Sequence, residues 1–289
     1  MKPAPFTYHR PGRLEEALEL LATLPNARVL AGGQSLLPML NLRMATPEHI
    51  IDLGRVSALA GITETAEGIS IGAMTTQRAI ERSESVRARC PLLIEALAHV
   101  GHQATRNRGT IGGSLCHLDP AAELPVVASA LDARLTIASR NGQRSIRFDE
   151  FPAGYLTTQL APDEILTGID FPQTPAGSGW AFEEFSQRAA DFAVVCVAVL
   201  VTIGSDARVR QASIAIGGLG PAPARLHDAE STLAGHAWDA ERVGSAAQAA
   251  TRLPCGGDEV NPAEYRSHLA GVLTRRALDK AYERGRTRV

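Results

Sequence analysis

Two glycine-rich segments carry the residue types best suited to binding a ligand, AGGQS at 31–35 and TIGGS at 110–114. Each follows an apolar stretch, and each is a diglycine followed within two residues by a serine. Glycine lets the backbone approach a ligand without a Cβ, and it allows a positive φ that points successive N–H groups at one anion. With the hydroxyl groups of Ser35, Thr110 and Ser114, the two segments could hold a pyrophosphate from opposite sides.

These segments do not match the common phosphate-binding motifs. Neither fits G-x-G-x-x-G or G-x-x-x-x-G-K-[ST], which argues against a Rossmann site and against a P-loop. Lysine occurs only at positions 2 and 280, so a P-loop lysine is absent and Schiff-base chemistry is disfavoured. Each segment alone is more simply explained as a tight turn, and the pairing is what favours a binding site.

Histidine and cysteine side chains around the second segment suggest two other chemistries. His99, His102 and His117 could ligate a metal, but their spacing matches none of the usual zinc patterns. Cys116 beside His117 has the residue types of a nucleophile and a base. No group that would orient such a base is visible, so packing in or near the core explains Cys116 more simply. We therefore predict no catalytic residue and no metal ligand in this chain.

Charged residues on both sides of the second segment have more than one possible role. Arg106 and Arg108 could offset phosphate charge or contact a partner subunit, and the sequence does not separate these roles. Asp119 precedes Pro120, so it could cap a helix. Asp119 and Glu123 also stand one helical turn apart, which would let both face the polar part of a ligand.

Composition narrows the class of protein. The 289 residues are 45% hydrophobic and 21% charged with a formal net charge of −2, which is typical of a globular protein and gives no reason to expect nucleic acid. The four cysteines are far apart, which fits free thiols in a reducing cytoplasm better than a disulfide framework or an iron–sulfur site. The N-terminal MKPAPFTYHRPG lacks the apolar region of a signal peptide, and the apolar run 192–204 is predicted to be a buried strand rather than a membrane span.

The elements that must position these residues alternate between strands and helices without a repeated βαβ period. Helices are predicted at 13–24, 35–45, 90–100, 122–133 and near the C-terminus. Strands are predicted at ARVL, HIIDL, GISIGAM, ARLTIAS, RSIRFDEF, EILTGIDFP, WAFEEFSQ, 192–204 and RVRQASIAIGG. The segment PQTPAGSG at 172–179 has the composition of a linker. We therefore expect an N-terminal domain at 1–175 and a smaller α+β domain at 176–289.

Three motifs together resemble a known family: AGGQSLLPMLNLRM at 31–44, IGAMTT at 71–76 and ATRNRGTIGGSLCHLDPAAELP at 104–125. They are similar to the FAD-binding medium subunit of molybdenum hydroxylases, the family of the carbon monoxide dehydrogenase medium subunit and of the FAD domain of xanthine dehydrogenase. FSQRAADFAVV at 185–195 and IAIGGLGPAPAR at 214–225 look like the second domain of that family, so the resemblance covers essentially the whole chain.

The resemblance implies an α+β protein with a vanillyl-alcohol-oxidase-type FAD-binding domain of two α/β subdomains and a smaller α+β C-terminal domain. It implies non-covalent FAD, with its pyrophosphate between the two glycine segments. The cofactor-binding positions that it implies are Val29, Leu30, Ala31, Gly32, Gly33, Gln34, Ser35, Leu36, Val100, Gly101, Thr110, Ile111, Gly112, Gly113, Ser114, Asp119, Glu123, Leu166 and Phe192. Among these, Glu123 is expected at the flavin's polyol, because a carboxylate accepts hydrogen bonds from hydroxyl groups and repels phosphates. Leu166 and Phe192 are expected at the isoalloxazine ring.

Three positions depart from the family pattern. Gln34 stands where carbon monoxide enzymes usually have histidine, and Ser114 where many relatives have asparagine. Both differences favour an organic substrate over carbon monoxide. Glu183 is expected at the place of a flavin-contacting lysine of xanthine dehydrogenase, which argues against NAD reduction of that kind.

The function implied is that of an electron-transfer subunit. A small subunit with two [2Fe–2S] clusters would deliver electrons to the FAD, and a large molybdopterin subunit would oxidise an organic, N-heteroaromatic substrate. A dimer of heterotrimers is the assembly that the resemblance implies. A stand-alone FAD-dependent oxidoreductase and a nucleotide-binding module without a redox role are the alternatives.

Overall fold

The computed structural model describes residues 1–288, beginning with a small parallel sheet in the order β1–β3–β2. Its elements are β1 (Thr7–His9), α1 (Leu14–Thr23), β2 (Ala27–Leu30), α2 (Leu36–Asn41) and β3 (His49–Asp52). Helix α1 packs on this sheet because Ala17, Leu18 and Leu21 fall on one side of the helix and are buried together. This first subdomain carries the first glycine segment between β2 and α2.

The second subdomain combines helices with an antiparallel sheet in the order β4–β5–β10–β6–β7. Its elements are β4 (Ile62–Glu64), β5 (Gly68–Gly72), α3 (Gln77–Glu81), α4 (Glu84–Arg89), α5 (Pro91–Leu97), α6 (Gln103–Arg108), α7 (Ile111–His117), α8 (Glu123–Ala130), β6 (Arg134–Ser139), β7 (Gly142–Arg147), the hairpin β8 (Pro152–Gly154) and β9 (Thr157–Thr158), and β10 (Ile165–Pro172). Helix α8 is buried along its whole length, so it forms the centre of this part.

The C-terminal part is a four-stranded antiparallel sheet covered by three helices. It contains β11 (Ser178–Ser186), β12 (Ala193–Ile203), β13 (Val209–Gly217), β14 (Ala224–Arg225), α9 (His227–Leu233), α10 (Ala240–Thr251) and α11 (Ala263–Arg286). All eleven residues of β12 are buried, because α11 covers one face of the sheet and α5 and α8 cover the other. The predicted division at residue 175 falls between β10 and β11.

Several elements differ from the sequence-based expectation. The sequence predicts no helix at 75–89 or at 101–121, where the structure has α3, α4, α6 and α7. The strand predicted at RSIRFDEF ends at Arg147, and Phe148–Glu150 form a 3₁₀ turn. No helix within residues 1–288 combines the length and the apolar character needed to cross a membrane.

Candidate functional site

The first glycine segment leaves a row of backbone amides without acceptors. The chain leaves β2 at Leu30 and enters α2 at Leu36, and between them Gly33 has a φ of +75°. Within residues 1–288, the N–H groups of Gly32, Gly33, Gln34 and Ser35 donate to no backbone or side-chain acceptor. Successive amides around a residue of positive φ form a concave site for an anion, so this segment can hold a phosphate without a lysine.

The second glycine segment has a different structure from the one expected. Its residues 111–114 form the first turn of α7, and their amides donate to the carbonyls of Ala73, Thr75 and Thr110 and to the Thr110 hydroxyl group. The expectation of consecutive free amides is therefore wrong here, because the segment is docked on residues 73–75 as a helix. Ser114 is half-buried and its hydroxyl group has no partner within residues 1–288, so it remains available to a ligand.

The two segments nevertheless meet, as their pairing predicted. A Cβ on Gly32 would overlap the carbonyl oxygen of Arg108, and a Cβ on Gly113 would lie 3.3 Å from the Cβ of Ala31. Gly32 is thus required by the close approach of its backbone to that of Arg108 and Gly109. The open amides of residues 32–35 and the first turn of α7 are therefore neighbours in the structure.

Arg106 holds the turn that leads into the second segment. Its guanidinium group donates to the carbonyls of Val100 and Gly101 at 2.8 and 2.9 Å and to the carboxylate of Glu81 at 3.3 Å. Gly101 has a φ of +45°, and this clamp fixes that turn. The guanidinium group is thus engaged within the chain, and the two roles that the sequence left open for Arg106 stay predictions. Arg108 is exposed.

The two carboxylates after α7 occupy different environments. Asp119 lies before α8, where its Oδ1 accepts from the N–H of Ala121 at 2.9 Å, so it stabilises a turn and is not the N-cap of α8, which is Ala122. Glu123 is the first residue of α8 and is buried. Burial and the nearby charge of Asp119 raise the pKa of Glu123 to about 7.

Glu183 and Glu184 point to opposite faces of β11, as neighbours in a strand must. Glu183 faces α11, where Lys280 donates to its Oε1 at 2.9 Å. The same ammonium group lies 3.1 Å from Glu95 of α5, and the place of Glu183 at the flavin stays a prediction. Glu184 lies on the face toward α5 and α8, and its Oε2 is buried without a hydrogen-bond partner. Alternation along a strand places Glu184 on the same face as the buried Phe182. This pattern could have indicated from the sequence that Glu184 is buried.

The histidine and cysteine chemistries considered above find no support. No group of three or more metal-ligating side chains occurs within residues 1–288. His99 stacks on Phe182 with ring centroids 5.2 Å apart, and His117 lies 3.8 Å from a carboxylate oxygen of Asp119. Burial raises the pKa of the Cys116 thiol to about 12, so it is not a thiolate nucleophile.

The two residues expected at the isoalloxazine ring lie in contrasting positions. Leu166 is only 4% exposed and packs in the core, so most of its surface contacts neighbouring side chains. Phe192 is 74% exposed and borders a cavity of about 370 Å³ between the β11–β12 connection and the start of α11. This cavity is lined by Ala121, Gln187, Asp191, Phe192, Ala193, Val194, Asn261 and Arg266.

The remaining predicted positions lie around the first segment. Val29 and Leu30 are half-buried at the end of β2, and Ala31 and Leu36 flank the open amides. Gln34 is exposed and its amide nitrogen donates to the carbonyl of Gly32 at 3.2 Å. The residues present fit the phosphates of a dinucleotide, because the amides of residues 32–35 have no acceptor within residues 1–288 and the hydroxyl group of Ser114 in the neighbouring α7 has no partner there.

The class of protein follows from comparison with known families. Residues 4–174 match the family described as FAD binding domain in molybdopterin dehydrogenase. Residues 180–281 match the CO dehydrogenase flavoprotein C-terminal domain. The fold and the site thus define a two-domain FAD-binding protein.

Relatives of nearly equal length show to which family of FAD-binding proteins this chain belongs. The 6-hydroxypseudooxynicotine dehydrogenase complex subunit alpha of Paenarthrobacter nicotinovorans is 39% identical, over 99% of this chain and 97% of that protein. The solved carbon monoxide dehydrogenase from Hydrogenophaga pseudoflava matches with a TM-score of 0.95 and 38% identity, over 98% and 99% of the two chains. Quinoline 2-oxidoreductase from Pseudomonas putida 86 matches with a TM-score of 0.93 and 37% identity, over the same shares. The chain belongs to the family of FAD-binding medium subunits of molybdenum-containing dehydrogenases.

Proposed function

We propose that this chain is the electron-transfer subunit of a cytoplasmic molybdenum hydroxylase, receiving electrons from [2Fe–2S] clusters of a small subunit and passing them to an external acceptor. The observation that carries the proposal is the match of both domains to this family, with relatives named as subunits of dehydrogenase complexes. A large molybdopterin subunit would complete the unit, and two such units would form the assembly.

The residues of this chain bind and orient the cofactor. Bound FAD supplies the ability to accept and release electrons singly or in pairs. The amides of residues 32–35 would hold its phosphates, and the hydroxyl group of Ser114 would donate to the same region. Glu123 would face the polyol, and Phe192 would border the ring. None of these groups needs to act as a nucleophile, which agrees with the neutral thiol of Cys116.

The partner subunits are inferred from the chemistry that this chain lacks. Its four cysteines are free and separate within the described residues, so they do not form the four-thiolate set of an iron–sulfur cluster. The clusters must then belong to another subunit. We propose an N-heteroaromatic substrate on the large subunit, because relatives at 37–39% identity are named for nicotine-type compounds and caffeine.

The test is purification of the native complex through a tag on this chain, followed by an absorption spectrum and acid release of the cofactor. Released FAD, iron–sulfur absorption and two additional subunits are the expected result. Flavin without partners would instead support a stand-alone oxidoreductase. A colourless chain that binds no added FAD would contradict the proposal and leave a nucleotide-binding module without redox role.

A further inference from the structure

The cavity beside Phe192 has a wall that is held in place by one side chain of α11. Arg266 donates to the carbonyls of Val194 and Gly218 at 3.2 and 2.8 Å. It also donates to the carbonyl of Asn261 at 3.3 Å. These bonds join the start of β12, the connection after β13 and the loop before α11, so this wall is preorganised for a ligand.

Asn261 supplies a free hydrogen-bond donor to the cavity. Its side chain lines the cavity, and the residue is only 8% exposed. The Oδ1 atom accepts from Nε2 of Gln187 at 3.0 Å, whereas Nδ2 donates to no acceptor within residues 1–288. Since nearly buried amide donors are normally hydrogen-bonded, this group favours a ligand that places an acceptor oxygen against Nδ2.

The rest of the lining is mostly apolar. Phe192 presents an exposed ring, and Ala121, Ala193 and Val194 add small apolar side chains. Such a lining fits a flat ring system, which can stack on the ring of Phe192. The volume of about 370 Å³ is within the usual range for a small-molecule pocket.

The charges at the cavity disfavour a phosphorylated ligand. Asp191 is exposed and forms no ion pair within residues 1–288, so its carboxylate repels a pyrophosphate. Arg266 is the one cationic group among the eight lining residues, and its charge is paired with Asp258 at 2.7 Å. The open amides of residues 32–35 have the opposite character, because no carboxylate lies among them.

We propose that this cavity binds the external electron acceptor, and that this acceptor is a neutral, planar compound of the quinone class. One carbonyl oxygen would accept from Nδ2 of Asn261, and the ring would stack on Phe192. The inference rests on the proposed function, because it requires Phe192 to border the ring of bound FAD. Phe192 is the one lining residue that is also a predicted cofactor-binding position, so the acceptor site adjoins the FAD site and is separate from it.

The quinone balances the reaction proposed for the complex. Hydroxylation of a substrate with an oxygen atom from water releases two electrons and two protons. The quinone would take up these two electrons and two protons and leave as the hydroquinone. Neither form carries a charge, so neither is repelled by Asp191.

The experiment uses the complex purified through a tag on this chain. The complex is reduced with dithionite in the absence of oxygen and mixed with menadione, a naphthoquinone, or with NAD⁺. Recovery of the flavin absorption is followed over a range of concentrations of each acceptor. The wild type should be oxidised at a rate that saturates with menadione, and NAD⁺ should show no saturation.

Asn261→Asp tests the proposed donor, because aspartate has the same shape and keeps an oxygen for Gln187 but has no N–H. The menadione concentration that gives half the maximal rate should rise at least about tenfold. Asn141→Asp is the matched control, since it makes the same change in the exposed turn between β6 and β7, and it should leave that concentration unchanged. Gln187→Ala should raise it, because the Asn261 amide then loses the bond that orients it.

The outcomes separate the two proposals. A complex that contains no FAD would overturn the proposed function. A flavin-containing complex whose oxidation by menadione never saturates would overturn only the acceptor site. The same holds if Asn261→Asp matches the wild type or if Asn141→Asp weakens menadione as much. If Asn261→Asp fails to fold, the exposed Gln187→Ala decides, and half-saturation equal to that of the wild type contradicts the inference. Saturation by NAD⁺ below the menadione concentrations would reject an acceptor of the quinone class.

Discussion

Gly32 makes the closest backbone approach in the cofactor cleft. A Cβ there would overlap the carbonyl oxygen of Arg108 and crowd Gly109, and these atoms are backbone, so they cannot move aside as a side chain would. The approach sets the separation between the open amides of residues 32–35 and the first turn of α7. A substitution at this position tests whether that separation matters for the cofactor.

Gly32→Ala should destabilise the chain by about 1–3 kcal/mol, the usual cost of overpacking, and should lower the affinity for FAD at least about tenfold, because the open amides move relative to Ser114. Thermal unfolding and an FAD titration measure the two effects. Gly12→Ala is the control, since a Cβ there meets nothing within 4 Å, and it should leave both quantities unchanged. Equal FAD affinity in Gly32→Ala and the wild type would show that the contact with Arg108 has no role in the site.

At the scale of residues, the sequence predicted which segments belong to the candidate site, but it did not predict the hydrogen bonds that these segments make. The two diglycines could be found in the sequence because both follow an apolar segment and both precede a serine. The sequence did not show that the amides of the second segment already have acceptors. Two of those acceptors are the carbonyls of Ala73 and Thr75, which are distant in sequence. The burial of Glu184 was missed for a related reason, since it depends on His99 and on the pairing of β11 with β12, which are distant in sequence.

At the scale of elements, an ion-pair cluster joins the last helix to the first domain. Glu95 of α5 accepts from Arg284 of α11 at 2.6 Å and lies 3.1 Å from Lys280. Arg284 also donates to the carbonyl of Trp180 at 2.6 Å. Burial alone would raise the pKa of Glu95, but the hydrogen bonds from Arg284 and Lys280 outweigh it and lower that pKa. The cluster therefore fixes α11 against α5.

Glu95→Gln should lower the free energy of unfolding by about 1–2 kcal/mol at neutral pH, because charge-assisted hydrogen bonds of partly buried groups are lost. Because the folded-state pKa lies below the ordinary value, this contribution is present above that ordinary value of 4.5 and is lost as the pH falls through the folded pKa. The wild type and the variant should thus converge in acid. Denaturant unfolding at neutral and acidic pH measures both effects.

The exposed pair Arg286–Glu283 on the same helix provides the control for Glu95. Glu283→Gln should change stability by less than about 0.5 kcal/mol, because both side chains are in water. If Glu283→Gln lowers the free energy of unfolding as much as Glu95→Gln does, the effect arises from α11 itself and not from its attachment to α5.

The sequence predicted most elements with a strong apolar period and missed those without one. Helix α1 and strand β12 were found within one or two residues, since their apolar spacing is regular. Helix α6 has no buried residue, so it carries no such signal. Helix α7 contains two glycines, which disfavour a helix, and it forms because Thr110 caps it and residues 73–75 receive its amides.

At the scale of the molecule, the two domains share one hydrophobic core. Phe182, Cys196, Ala198 and Leu200 of the C-terminal sheet pack in the same cluster as the buried residues of α5 and α8. The opposite face of β12 belongs to a second cluster beneath α11. Separation of the domains would expose one whole face of the longest strand, so neither domain should be stable when the other has unfolded.

The chain should therefore unfold in a single transition in which both domains and the cofactor site are lost together. Both tryptophans, Trp180 and Trp238, lie after residue 175, so their fluorescence reports the C-terminal domain, whereas circular dichroism reports the whole chain. Release of FAD reports the cleft. The three thermal midpoints should coincide in the flavin-bound chain, and Phe182→Ala, which removes a ring from the shared core, should lower all three together, at a cost of about 3–5 kcal/mol. A circular dichroism transition completed while the tryptophan signal is still native would show that the first domain unfolds independently.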